Sequence, residues 1–171
     1  MEGILQAKLE ILEGMPADGK IILNGDDSLL WNQHRLGGIQ ADYFGLRNPE
    51  CNIRAENVCQ EEGFLRFTAK TPAGDFPVEM ELEGEHYVHD ALAAIAAGLN
   101  LGVKPENIQK GLVEFRNMEG RQEIFWKNGY TIIKDCYNAG PESMAAALAV
   151  LGNKPGRRVA VLGDMLELGV C

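Results

Sequence analysis

At 171 residues, 46% of them hydrophobic, the chain can bury one medium core or two small ones. Its net charge of −9 withholds the basic footprint that nucleic acid and anionic membranes require, but leaves room for a small nucleotide, which needs only a local site. No apolar run approaches the roughly 20 residues of a membrane span. The opening MEGILQAKLEILEG lacks the basic-then-apolar order of a signal peptide. Cys51, Cys59, Cys136 and Cys171 form no C-x-x-C pair, which predicts reduced thiols in a cytoplasmic protein.

Taken in chain order, Ile4, Leu5, Leu9 and Leu12 predict a short amphipathic helix ending near Gly14. KIILN reads as a buried strand, and DDSLLWNQHRL as a helix opened by a capping aspartate. From Ile39 to Leu82 the segments IQADYFG, CNIRAENVCQ, GFLRFTAK and FPVEMELE alternate between turn residues, which predicts an antiparallel meander. Helices are expected over about 85–101 and 105–115, with Pro105 in a first turn, where its missing N–H is harmless. RQEIFWKNGYTIIKD predicts a hairpin about Asn128-Gly129. GPESMAAALAVLG predicts a helix entered at Pro141, and RRVAVLGD a second buried strand. Strand, helix and parallel strand would make one βαβ unit. Such a unit buries little by itself, so a domain boundary is placed near Asn117, with a domain beginning after it.

Several stretches carry candidate chemistry. Gly14 to Lys20 fits the first seven positions of G-x-x-x-x-G-K-[ST]. Ile21 stands where the Mg²⁺-binding hydroxyl belongs, and the segment leaves a helix for a strand, the reverse of a phosphate loop. A plain turn is expected. Asp26 and Asp27 end a strand, where an aspartate either holds Mg²⁺ through water or caps the next helix. In GEHYVHDALAAIAAG, Val88, Leu92, Ile95 and Leu99 form a core stripe, while His86, Asp90, Ala93 and Ala97 share the opposite, small face. His86-x-x-His89-Asp90 has three readings: a metal cluster short of ligands, a helix cap, or a polar rim above a ligand lying on the small face. In YTIIKDCYNAGPESM, Asp135 closes a strand, Tyr137 and Asn138 lie in the loop, and Pro141 opens a helix. That is where α/β folds bind ligands, and a carboxylate there suits paired ribose hydroxyls. Arg121, just before the hairpin, could meet a phosphate. Asp135 as a turn cap and Arg121 as an ordinary surface charge are the alternatives. Asp164 repeats the strand-end theme weakly.

The order of GEHYVHDALAAIAAGLNLGV, FRNMEGRQE, DCYNAGPESMAAAL and GRRVAVLGDMLELG resembles the Mur ligases of peptidoglycan synthesis, and most of all the branch that adds D-alanyl-D-alanine. The resemblance implies an α/β fold: the end of a central ATPase-type domain with an antiparallel meander (residues 1–116), then the start of a Rossmann-like C-terminal domain (residues 117–171). It implies a cytoplasmic enzyme that joins D-Ala-D-Ala to UDP-N-acetylmuramoyl-tripeptide, using ATP to form an acyl phosphate, with Mg²⁺ and phosphate-loop residues upstream of this stretch. No catalytic residue is expected within the stretch, and on its own it should be inactive. Matched position by position, Asp90 falls at an adenine-reading asparagine and Asp135 on the ribose hydroxyls. Arg121 approaches the nucleotide, Tyr137 and Asn138 line the cleft around it beside His86, and Asp164 faces the cleft more distantly. The usual helix start H-N-x-x-N reads His86-Tyr87-Val88-His89-Asp90 here, and Gly140 replaces the second asparagine of Y-N-A-N-P. An ionised Asp90 accepts from the adenine amino group but cannot donate to a ring nitrogen. The competing readings are a Mur ligase adding the third residue, and a non-catalytic nucleotide- or metal-binding module.

Overall fold

The computed structural model describes residues 2–61 and 63–166. Helix α1 (Glu2–Leu9) passes into a 3-10 turn (Glu10–Gly14), as the leucine spacing predicts. Leu9, Leu12 and Met15 pack on a small core of Ile21, Leu36, Ala41, Tyr43 and Cys51. Strand β1 (Ile21–Asn24) leads to α2 (Ser28–Trp31), a single turn capped by Asp27, whose Oδ1 accepts from Leu29 N at 2.8 Å and Leu30 N at 3.0 Å. The helix stops after this turn because Asn32 and Gln33 donate side-chain amides to the Ser28 and Leu29 carbonyls, which a further turn would need. Trp31 then packs edge-on against His34 and Tyr43.

The sheet departs from the predicted meander at its first member. Strand β2 (Arg35–Leu36) pairs antiparallel with β3 (Ile39–Gly45), and β3 lies parallel to both β1 and β4 (Ile53–Glu61). Only β4, β5 (Phe64–Lys70) and β6 (Phe76–Met80) form the antiparallel meander. Alternation reports that one face of a strand is buried, not which way its neighbours run. Strands β3 and β4 share only the pairs Phe44–Ile53 and Gly45–Arg54. The short link 46–52 therefore suffices where a full parallel ladder would need a crossover of about a dozen residues.

Helix α3 (His86–Asn100) covers this sheet with Val88, Leu92 and Ile95, each 0% exposed, against Leu65, Phe67 and Val78. Helix α4 (Pro105–Glu114) adds Ile108 and Leu112 to the same core, and Gly98 lets Ile108 approach α3. A Cβ at Gly98 would lie 2.9 Å from the Ile108 Cδ1. The predicted hairpin is present as β7 (Glu123–Lys127) and β8 (Tyr130–Lys134). Asn128 at φ 52° and Gly129 at φ 86° supply the two left-handed residues of its turn. Helix α5 (Pro141–Gly152) follows, and its buried Val150 reaches back to Gly84 before α3.

The strand expected at RRVAVLGD is not formed among the described residues. Residues 157–166 carry no ladder, and Val159, Val161 and Leu162 are exposed by 65%, 94% and 58%. The apolar run records what this segment is suited to bury, but a strand also needs a neighbour, and β7 and β8 pair only with each other. The last residues of the MLELG motif and Cys171 lie outside the described residues.

Candidate functional site

Two stretches left open by the sequence meet in the structure. Asp26 leaves β1 and His89 lies on the first turn of α3, yet His89 Nε2 sits 2.9 Å from Asp26 Oδ2. The same carboxylate accepts backbone N–H groups from Leu46 at 2.7 Å, Arg47 at 3.0 Å and Asn48 at 2.8 Å. Burial pushes the Asp26 pKa up, but the Leu46 amide, His89 and the Asn48 and Arg47 amides together outweigh it, so Asp26 ionises below its ordinary value. Its acceptor capacity is thus spent on four protein groups, which argues against the reading of Asp26 as a magnesium ligand. Asn48 returns a bond to Gly25 O at 3.0 Å, and Arg47 pairs with Glu85 at 3.1 Å. These residues surround a cleft of about 380 Å³ lined by Gly25, Asp26, Arg47, Asn48 and His89. It lies at the carboxyl ends of the parallel strands β1 and β3, beside the start of α3, the customary ligand position in α/β sheets.

Beneath the cleft, Cys51 fills the space between the two strand ends. A Cβ built at Gly25 would lie 2.3 Å from the Cys51 Sγ, and one at Gly45 would lie 2.8 Å from the same atom. Burial first, then the Asp26 charge, pushes the Cys51 thiol up to about 11, so it stays neutral and unreactive.

His86 opens the first turn of α3. Its ring lies 4.2 Å from the Tyr87 ring and folds over Gly84, whose φ of 124° only glycine adopts readily. Burial lowers the His86 pKa, opposed by the carboxylates of Asp90 and Asp135 and by a hydrogen bond with the Gln122 side chain. Helix α3 has no side-chain cap, which removes the capping reading of His86 and Asp90. His86 and His89 thus serve different partners, and among the described residues no three His, Cys, Asp or Glu side chains come together to hold a metal. The metal reading of His86-x-x-His89-Asp90 has no support in this arrangement.

The predicted residues Asp90, Asp135 and Arg121 all bring their charges to the buried Tyr87, whose pKa is raised by burial first, then by Asp135 and Asp90. Asp90 and Asp135 are both exposed. Asp135 accepts no backbone amide among the described residues, so it is not a turn cap. Arg121 is exposed, as a surface charge would be, and its guanidinium carbon lies 3.9 Å from the centre of the Tyr137 ring. Asn138 Oδ1 accepts from Ala139 N at 2.9 Å and shapes its own loop. Asp164 is exposed in the 157–166 segment and is tied to none of these residues by a hydrogen bond or ion pair among the described residues. The Gly14–Lys20 segment is the helix-to-strand turn expected of it.

Sequence reasoning missed the groups that join the two halves. Asn117 Nδ2 donates to the Tyr87 hydroxyl at 2.7 Å. Gln122, 5% exposed and at φ 45°, donates its amide to the Glu83 carbonyl, while Lys154 pairs with the Glu83 carboxylate. A buried glutamine with a left-handed backbone leaves no periodic signal. Only the charge pair Glu83/Lys154 was visible, and its separation of 71 residues hid it.

This arrangement, an α/β sheet with polar groups gathered at strand ends and at the start of one helix, joined to a smaller α/β unit, has a match in known proteins. The Mur ligase middle domain matches residues 1–98 and the Mur ligase glutamate ligase domain residues 120–170. The chain belongs to the Mur ligase family. Among its relatives is the UDP-N-acetylmuramoyl-tripeptide--D-alanyl-D-alanine ligase of Bacillus subtilis, 39% identical over 98% of this chain and 36% of the relative. The solved MurF of Acinetobacter baumannii superposes with a TM-score of 0.90 at 34% identity, over 98% of this chain and 37% of that one. MurF ligase of Thermotoga maritima in complex with ADP gives a TM-score of 0.83 at 23% identity over 98% of this chain and 38% of that one, a likeness of fold. The chain thus spans little more than a third of the length of the relatives it matches.

Proposed function

We propose that this chain is a stretch of a cytoplasmic ligase that joins D-Ala-D-Ala to UDP-N-acetylmuramoyl-tripeptide, and that it carries the adenosine side of the ATP site. Residues 1–116 would form the later part of the central domain and residues 117–171 the beginning of the C-terminal one. The observation that carries the site reading is that the Gly120 carbonyl ties the Arg121 segment to the loop after Asp135, setting Arg121 against Tyr137, while Asp90 and Asp135 from the two sides of Asn117 both act electrostatically on Tyr87. The relatives' activity supports the rest.

The residues suit this ligand. Asp135 is an exposed carboxylate, able to accept from both ribose hydroxyls. Arg121 offers a cation to a phosphate. Asp90 accepts from the adenine amino group, and the exposed Ala94, with the half-buried Ala93 and Ala97, gives the ring a low surface to lie on. Tyr137 and Asn138 are assigned to the border of this adenosine site, His86 to its inner side and Asp164 to its far edge. ATP activates the tripeptide carboxylate as an acyl phosphate, which the dipeptide amine attacks. The residues of this chain contribute binding and orientation to that reaction. Mg²⁺ is assigned to residues outside this stretch, which spans little more than a third of the length of its relatives.

The test uses the full-length protein with ATP, the tripeptide precursor and D-Ala-D-Ala. Formation of ADP and the pentapeptide product is expected. Product only with a single amino acid on a dipeptide precursor would reassign the chain to a ligase adding the third residue. In the same protein, Asp135→Ala should weaken ATP binding about tenfold, the loss of one or two charge-assisted hydrogen bonds. Asp90→Asn should leave binding unchanged or tighten it. Unchanged affinity for Asp135→Ala, or a large loss for Asp90→Asn, would refute this placement of adenosine.

A further inference from the structure

We propose that Tyr137 is a positioning residue for Arg121: its ring fixes the guanidinium where the nucleotide phosphates arrive, and its hydroxyl is not a ligand. The inference rests on the nucleotide reading above and adds a role that reading does not contain. The guanidinium carbon of Arg121 lies 3.9 Å from the ring centre of Tyr137, well within cation–π range. The backbone builds this pair. Gly120 O accepts from Cys136 N at 3.0 Å and from Tyr137 N at 3.3 Å, tying the start of the β7–β8 unit to the loop that leaves it. Gly120 is buried at φ 73°, and its neighbour Arg121 is held by a bond from its own N to Met118 O at 3.0 Å. Two loops separated by the whole hairpin therefore place one cation and one ring face to face.

Tyr137 is 70% exposed, so its ring is not there to fill a core. Among the described residues, no carboxylate forms an ion pair with Arg121, whereas Arg47, Arg66 and Arg116 each have one. An aromatic face orients a guanidinium without neutralising it, which leaves the full charge for an incoming anion. A long side chain held in one rotamer also loses less freedom when it binds.

The experiment measures ADP and adenosine affinity in the full-length protein carrying Tyr137→Leu, Tyr137→Phe, Arg121→Ala, or both Tyr137→Leu and Arg121→Ala. Tyr137→Leu is expected to weaken ADP about 2- to 5-fold, as an exposed cation–π contact would. It should leave adenosine unchanged, since adenosine offers Arg121 no phosphate. Tyr137→Phe keeps the ring and should bind ADP as the parent does. Adding Tyr137→Leu to Arg121→Ala should cost nothing further. An equal loss for Phe and Leu would make the hydroxyl a ligand and overturn the proposal, as would equal losses for ADP and adenosine, or a loss that persists without Arg121. If Arg121→Ala itself leaves ADP affinity unchanged, the placement of Arg121 on the nucleotide fails. If Arg121→Ala weakens ADP but Tyr137→Leu does not, only the positioning role fails.

Discussion

Replacing Asp26 by alanine removes the acceptor of four donors at once: the amides of Leu46, Arg47 and Asn48 and the ring of His89. Hydrogen bonds to a charged group contribute about 1.5–3 kcal/mol each when fully buried. Here the Asp26 side chain is 11% exposed, but the 46–48 loop borders an open cleft, so water replaces part of what is lost. A net cost of about 3 kcal/mol follows, at the lower edge of the range for breaking a buried charge pair. For a protein of this size that corresponds to a fall in Tm of about 6–12 °C. Asp26→Asn should cost less, about 1–2 kcal/mol, because its carbonyl can still accept from one side while its NH₂ faces an amide donor on the other. The pH dependence adds a second check. Asp26 ionises lower in the folded protein than in the unfolded chain. Its contribution is therefore complete above the unfolded value of about 4 and is lost as pH falls through the lower, folded value. Denaturant melts of wild type and Asp26→Ala should differ by the full amount at pH 7 and converge in strong acid. A difference below about 0.5 kcal/mol at pH 7, or one that does not shrink on acidification, would refute this account of the strand ends.

The remaining predictions use the same region. Burial holds the His86 pKa below its ordinary value near 6.5, so the unfolded chain takes up a proton first as pH falls from 7. Wild-type stability should therefore decline as pH falls through about 6.5, and His86→Gln should flatten that slope in urea titrations at several pH values. Gly25→Ala drives a methyl into the Cys51 sulfur and should cost about 1–3 kcal/mol, most of it recovered in a Cys51→Ala background. Gly45→Ala should recover less there, because its methyl would also lie 2.8 Å from the Asp26 Oδ1. Thermal melts of the two double variants decide between them.

What was legible in the sequence was local. The stripe of Val88, Leu92 and Ile95 is the core face of α3 because a helix repeats its faces every three or four residues. Asn128-Gly129 is a hairpin turn because few residue pairs accept two left-handed conformations. The parallel course of β3 was hidden because alternation is the same whichever way a neighbour runs. The RRVAVLGD strand failed for the complementary reason, since pairing is a property of two segments and the sequence displays one.

The site divides along the same line. Asp135, Tyr137 and Arg121 were picked out because strand ends and helix starts are marked locally, and the resemblance to Mur ligases then gave each a role. The bond between Asp26 and His89 was not, although both motifs had been noticed separately. Each offered a local explanation: the cap falls to Asp27 and not to Asp26, and the metal cluster finds no third ligand among the described residues. A carboxylate at the end of β1 that is filled by the loop after β3 and by the first turn of α3 ties three elements into one rigid corner. Asp90 follows His89 directly, so the corner that spends Asp26 on structure also fixes where Asp90 begins. The polar groups that looked most like a metal site, Asp26 and His89, hold the framework instead.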